Sequence, residues 1–338
     1  MRLDFLAALS GILIALQARA NGELSHQLGN GLEAALVSFG SGLIIIVLIS
    51  FFNPSIKEGI RNLREAVQEK KIARWKLFAG MLGGTWVAVQ THIVPLIGVA
   101  IFSVASIAGQ ATASLIVDRI GLTGGGKKLL SKRRVAAALI TVLAVLLSVL
   151  DRLDASNLSK FAVFLGVVTG ALGGIQRAMN GEINEYSHQS FTTSLLNFIM
   201  GTTFLVVLLI VMILAKRIEL VPLPSGPWWI YTGGVIGVIY IAFSSTIVQH
   251  LGVLNFTLFS VGGQLVGSLA IDVLYPTDGV QISAYLISGI VMTYLGVIVG
   301  GVTSSRVRKP ATPQYRKPRL RMTKSLPTAD LLRNIPPM

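Results

Sequence analysis

Seven residues near the start of this chain return almost unchanged near its middle. Gln17-Ala-Arg-Ala-Asn21-Gly22-Glu23 reappears as Gln176-Arg-Ala-Met-Asn180-Gly181-Glu182, and the match continues at the same offset through Leu36/Leu195, Phe39/Phe198 and Gly42/Gly201. A second block matches at a slightly shorter offset, pairing Gly80/Gly234, Gly83/Gly237, Gly98/Gly252, Phe102/Phe256, Ser106/Ser260, Gly109-Gln110/Gly263-Gln264, Ser114/Ser268 and Asp118/Asp272. The change of offset falls between the blocks, where a connecting loop absorbs a deletion. One unit is written twice, and a repeat of this length constrains the architecture before any local assignment.

The unit is built for lipid. Of the 338 residues 52% are hydrophobic and 13% charged, with mean hydropathy +0.70. A soluble domain carries about 25% charged residues, so half the expected charge is missing. Apolar runs of about 20 residues recur, long enough at ~1.5 Å per residue to cross a hydrocarbon core of ~30 Å. They do not alternate as the strands of a membrane barrel would. The expected fold is an all-α integral membrane protein with ten transmembrane helices. The first half supplies spans at 3–21, 32–52, 75–94, 97–117 and 135–150; the second supplies 160–180, 191–214, 227–248, 252–274 and 282–302. Pro95 and Gly98 predict a tight hairpin between the third and fourth spans, with Gly252 alone doing this in the second half. The first span looks like a signal peptide with a possible cleavage site at Ala18-Arg-Ala20. Its repeat partner lies mid-chain, however, and an element needed twice is retained as a span.

Orientation follows from Lys and Arg. With the N-terminus inside, 24 of the 29 basic residues fall on inner segments, including Arg177, and only Arg19, Arg152, Lys160, Lys216 and Arg217 fall outside. Both termini are expected in the cytoplasm. Five spans per repeat is an odd number, so the second copy enters from the opposite side: an inverted repeat, with domains 1–150 and 151–303. Residues 304–338 are basic and proline-rich, as in a disordered tail. The net charge of +14 sits beside the spans, where anionic lipid headgroups are its natural partner rather than nucleic acid.

Polar groups inside a bilayer need partners or a wet cavity. Gln110, Ser114 and Asp118 recur every four residues along one helical stripe, as do Gln264, Ser268 and Asp272. The two glutamines near mid-span either contact a solute in a central cavity or bond a neighbouring helix. Asp118 and Asp272, at span ends, are expected to be solvated or paired with a base such as Arg119. Gln17/Asn21 and Gln176/Asn180 sit one turn apart at opposite mouths, as gates or as caps of helices ended by Gly22 and Gly181. Glu23 and Glu182 beside them are either proton-coupling groups or solvated carboxylates. Asn197, in place of Ser38, and the equivalent aromatics Trp86 and Tyr240 either face a solute or pack between helices. The glycine run Gly166–Gly174 lacks a preceding strand and a Lys-Ser/Thr, so it is not a nucleotide loop. No catalytic constellation, metal set or cofactor motif appears, and no cysteine is present.

A span ending Gln-x-x-x-Asn-Gly, a next span with Ser-Phe-x-x-Gly or Asn-Phe-x-x-Gly, and a later Gly-Gln-x-x-x-Ser-Leu-x-x-Asp resemble the YdcZ family, a five-span branch of the drug/metabolite transporter superfamily. The resemblance covers both halves and omits the tail. It implies plasma-membrane location and solute transport by alternating access, without naming the solute. Many relatives are single five-span units that work as antiparallel dimers. This chain is a fusion, so one polypeptide is expected to complete the two-fold unit, as a monomer or within a homodimer. The expected function is a secondary transporter of a small metabolite or drug-like cation. A non-transporting scaffold and a lipid or lipid-linked precursor translocase are the alternatives.

Overall fold

The computed structural model describes residues 3–122, 127, 131–149, 160–275 and 282–299. The tail from 304 and parts of the loops expected to carry charge lie outside them. Ten α-helices occur among the described residues: α1 (Leu3–Leu28), α2 (Gly31–Phe52), α3 (Pro54–Gln68), α4 (Ala79–Ile120), α5 (Lys132–Val149), α6 (Lys160–Ser187), α7 (Ser190–Leu214), α8 (Gly233–Leu251), α9 (Val253–Leu274) and α10 (Ala284–Val299). Seven helical segments are long and apolar enough to cross a membrane, the longest being the 47 residues Arg74–Ile120; Ala284–Gly296 is a shorter apolar helix. Side chains such as Phe51, Phe52 and Leu214 stand exposed on the outside. In water so much exposed apolar surface would drive aggregation, whereas against lipid it is the natural solution.

Helix α4 holds two expected spans. Its regularity fails at Gly98 (φ 81°, ψ 165°), a backbone region that only glycine occupies readily. The ring centroids of Trp86 and Phe102 are 6.1 Å apart, whereas the same residues on a straight helix would lie about 24 Å apart. The chain therefore bends back at Gly98, leaving arms 79–97 and 99–120. Gly252 takes the same conformation (φ 77°, ψ 163°) between α8 and α9. Repeat-equivalent glycines make equivalent bends.

Two expectations fail. Helices α1 and α6 do not end at Asn21-Gly22 and Asn180-Gly181 but run on to Leu28 and Ser187. The residues after each glycine are ordinary helix formers, and Leu24 and Leu28 gain burial against Ile230. The stops come where the chain turns left-handed, at Gly29 (φ 61°) and its equivalent His188 (φ 54°). The basic loop after the second span is in part the helix α3. Asn53 caps it by accepting the Ser55 N–H at 3.1 Å, and Pro54 starts it. Ile56, Gly59, Leu63 and Ala66 form its buried face, and Thr192 of α7 donates its hydroxyl to the Ile56 carbonyl at 3.1 Å.

Glycines bring the repeats together. A Cβ on Gly11 of α1 would collide with the carbonyl of Ser260 on α9, and one on Gly170 of α6 with the carbonyl of Ser106 on α4. Gly263 meets the Ala8 carbonyl as Gly109 meets that of Val167. Each contact is the repeat image of the other, so the first helix of each repeat packs on the fourth of the other. Phe39 and Phe198, themselves equivalent, meet with centroids 5.1 Å apart. Asp118 at the end of α4 accepts the Val253 N–H at the start of α9 (3.2 Å), and Asp272 at the end of α9 accepts the Ala100 N–H (3.1 Å). Equivalent helices thus lie antiparallel, which puts the pseudo-two-fold axis across them rather than along them.

Candidate functional site

The repeat contacts enclose a cavity on that axis. Six equivalent pairs line it: Ile14/Gly173, Gln17/Gln176, Phe39/Phe198, Gly83/Gly237, Trp86/Tyr240 and Val87/Ile241. Two further residues have no symmetric counterpart on the wall, Arg177 and Asn197, both from the second repeat. Their equivalents are Ala18 and Ser38. The cavity measures about 40 Å³, room for water but far below the ~300–1,000 Å³ of a small-molecule site. In this conformation the halves are closed on it.

Arg177 breaks the symmetry most. Only 3% of it is exposed. Nε donates to the Tyr240 hydroxyl at 2.8 Å, and Nη1 donates to Gln110 Oε1 at 2.6 Å and to Thr257 Oγ1 at 3.5 Å. The guanidinium carbon lies 5.4 Å from the centroid of Phe256. Every one of these partners is neutral, and among the described residues no carboxylate lies within ion-pairing distance of it. A guanidinium does not shed its proton in a protein, so the site carries a fixed positive charge. Placing such a charge within a bilayer costs about 2.5–3.5 kcal/mol on insertion scales. Across the axis, where Ala18 replaces the arginine, Trp86 packs edge-on against Phe102. The charge has no counterpart at Ala18, while aromatic side chains recur in both repeats, Tyr240 and Phe256 around Arg177 and Trp86 and Phe102 as their equivalents.

Asn197 sits in an amide chain. It accepts from Gln176 Nε2 at 3.0 Å and donates from Nδ2 to Asn180 Oδ1 at 2.6 Å and to the Thr193 carbonyl at 2.9 Å. Ser38 cannot repeat this in the first half. There Gln17 donates to the Gly233 carbonyl at 3.0 Å, and the buried amide of Asn21 has no partner among the described residues.

The structure thus gathers Trp86, Tyr240, Asn197, Gln17 and Gln176 on one wall. It does not bring Gln110 and Gln264 there. Gln110 is fully buried behind Arg177 and orients it, while Gln264 is fully buried on α9 with no partner for its amide among the described residues. Neither aspartate is solvated. Asp118 is fully buried and paired with Arg134 of α5, not with Arg119, which is exposed. Both cap a helix of the opposite repeat, where the positive end of the helix dipole favours a carboxylate. Glu182 is buried and paired with Lys76, which reaches it from the 3₁₀ turn Arg74–Phe78. Glu23 pairs along its own helix with Arg19 at 3.5 Å and accepts from Gln27 at 3.0 Å. Arg19 in turn lies 5.9 Å from the Trp229 ring centroid. Arg177 was expected among the inner-loop charges, because the span was drawn to end three residues later. The signal that would have placed it is the substitution of arginine for Ala18 inside a repeated helix.

The family described as "Putative inner membrane exporter, YdcZ" matches residues 3–147 and again 161–299. The chain belongs to this family. Its two YdcZ units correspond to the two halves recognised from the repeated motifs, and the family is one of exporters, not of enzymes. No curated protein matches the chain. Among solved structures, a crystal structure described simply as that of a protein is 13% identical, with a TM-score of 0.59, over 90% of this chain and 97% of the other. At that identity the likeness extends to the fold alone. This YdcZ member is a multi-pass helical membrane protein, and its family motifs fall where the halves meet. The Asn-Phe-x-x-Gly segment supplies Asn197 and Phe198 to the cavity wall, and the two terminal aspartates of the Gly-Gln-x-x-x-Ser-Leu-x-x-Asp segments are the reciprocal helix caps.

Proposed function

We propose that the protein is a ten-span secondary transporter that exports a small solute across the plasma membrane by alternating access, with both termini in the cytoplasm. Its two five-helix domains, 1–150 and 151–303, are inverted repeats that rock about the central cavity. The reading is carried by that cavity: a small, largely apolar space on the pseudo-two-fold axis, built from six equivalent pairs with Arg177 and Asn197 set into its wall. Substrate sites of inverted-repeat transporters lie at this position. A scaffold would have no need of a buried cation and an amide chain facing a void. Trp86, Tyr240, Asn197, Gln17, Gln176 and Arg177 contact the solute. The Lys76–Glu182 pair closes one mouth, and Arg19–Glu23 against Trp229 closes the other. Energy comes from a proton or solute gradient.

Because the chain has no cysteine, single engineered thiols report cleanly. A thiol at Ile241 on the cavity wall, in vesicles, reacts with a membrane-impermeant maleimide added from either side in turn, while thiols at Lys127 and Asp278 react from opposite sides. Labelling of Ile241→Cys from one side only, or of the two loops from the same side, overturns the mechanism.

A further inference from the structure

Resting on the transport reading, the geometry points to the class of solute: we infer that the central site takes an organic anion with a carboxylate head and an apolar body, held by Arg177. Three observations converge. Arg177 is a permanent cation on the cavity wall whose hydrogen-bond partners, Gln110, Tyr240 and Thr257, are all neutral. Among the described residues no acidic side chain pairs with it. A chain that keeps such a charge inside lipid without a protein counter-ion is set up to take the counter-ion from its cargo, as intramembrane charges mark substrate pathways.

The second observation is that the charge is held in place. Gln110 grips Nη1, Tyr240 takes Nε, and Phe256 lies under the guanidinium. Those contacts fix the plane of the group and engage Nε and Nη1, so a carboxylate is met by the N–H groups of Nη2 in a charge-assisted hydrogen bond. Asn197, the other departure from repeat symmetry, stands on the same wall, its two N–H groups held by Asn180 and the Thr193 carbonyl.

The third is the opposite flank. Where symmetry would place a second cation, Ala18 stands instead, and Trp86 against Phe102 offers an aromatic surface. A solute in the cavity meets charge from one repeat only and aromatic rings from both. A cationic solute would meet Arg177 at close range with no carboxylate to offset it, and like charges in a water-poor site repel strongly. The fused chain has therefore made a two-fold cavity directional, which two identical five-span units sharing one sequence could not do at the same two positions without doubling the charge.

The test uses the purified full-length protein and three probes with one ring and different heads: benzoate, benzylammonium and benzyl alcohol, with phenylacetate and hexanoate as further carboxylates. Binding is measured by calorimetry, and flux is followed in vesicles against protein-free controls at a pH well above the pKa of the acids. A carboxylate is expected to bind saturably and benzylammonium not to bind. Arg177→Gln is expected to abolish binding. Arg177→Lys, which keeps the charge and loses the planar fork, is expected to weaken it at least about tenfold, and this variant carries the test if Arg177→Gln does not fold. Binding of benzylammonium in preference, binding by none of the carboxylates, or carboxylate binding indifferent to both Arg177 variants overturns the inference. Flux of benzylammonium without flux of carboxylates removes the anion assignment and leaves transport standing. Carboxylate binding that depends on Arg177 with no flux of any probe leaves the anion site standing and removes transport.

Discussion

Replacing Gly170 by alanine asks whether the repeat interface is as close as the structure makes it. A Cβ there would meet the Ser106 carbonyl oxygen, about 1.5 Å inside the approach that van der Waals radii allow. Backbone cannot rotate out of the way, so α6 has to back away from the second arm of α4. A gap of 0.5–1 Å forfeits roughly a quarter to a half of each atom pair's dispersion energy along that face. Overpacking of this kind costs about 1–3 kcal/mol, and the rigid partner puts Gly170→Ala near the top of that range. In thermal unfolding of the detergent-purified protein, followed by tryptophan fluorescence, that is a fall in Tm of roughly 3–8 °C. Gly11→Ala should fall by the same amount, because its Cβ meets the Ser260 carbonyl in the mirrored contact. Gly40→Ala is the control: nothing lies within 4 Å of its Cβ, and alanine is worth about 0.4–1 kcal/mol over glycine at such a site. A folded Gly170→Ala with unchanged Tm would falsify the packing argument. Unequal shifts for Gly11 and Gly170 would refute the equivalence of the two interfaces.

Gln110 and Gln264 are repeat equivalents with opposite expected responses to methionine. Gln110→Met takes an acceptor from the Arg177 guanidinium and should destabilise by about 1.5–3 kcal/mol, whereas Gln264→Met removes a buried amide with no partner among the described residues and should be neutral or stabilising by up to ~1 kcal/mol; equal shifts in Tm count against the asymmetry. Asp118→Ala takes the buried carboxylate from half-buried Arg134 and the cap from the start of α9, an expected loss of about 3–5 kcal/mol. Asp118→Asn, which retains an acceptor for the Val253 N–H, should unfold at a temperature between the two, and Asn below Ala in Tm would contradict the capping role. Lys76→Ala unlatches Glu182, and each ~1.4 kcal/mol lost from the latch multiplies the open population about tenfold. A thiol at Val87 on the cavity wall should then label faster from the side of the chain termini, and an unchanged rate removes the latch.

The sequence by itself determined the repeat, the helical class, the positions of the bends and the faces that meet. Gly98 and Gly252 announce themselves because only glycine takes their conformation, and the glycines of the crossing helices recur because a backbone contact tolerates nothing larger. Trp86, Tyr240, Asn197 and Gln17/Gln176 could be singled out as polar or aromatic groups at equivalent depths. Tertiary structure alone decided what each of them touches. Asp118 reads as a helix-end carboxylate until α9 of the other repeat is laid against it. Gln110 and Gln264 are indistinguishable along the chain and differ only because Arg177 reaches one and Ala18 leaves the other without such a partner. The depth of Arg177 itself depended on α6 continuing past Gly181, which burial of the following turn settles and the local pattern does not. A linear sequence records which face of a helix is apolar or small. It does not record which distant helix that face will meet, and the charge balance of the cavity is fixed by those meetings.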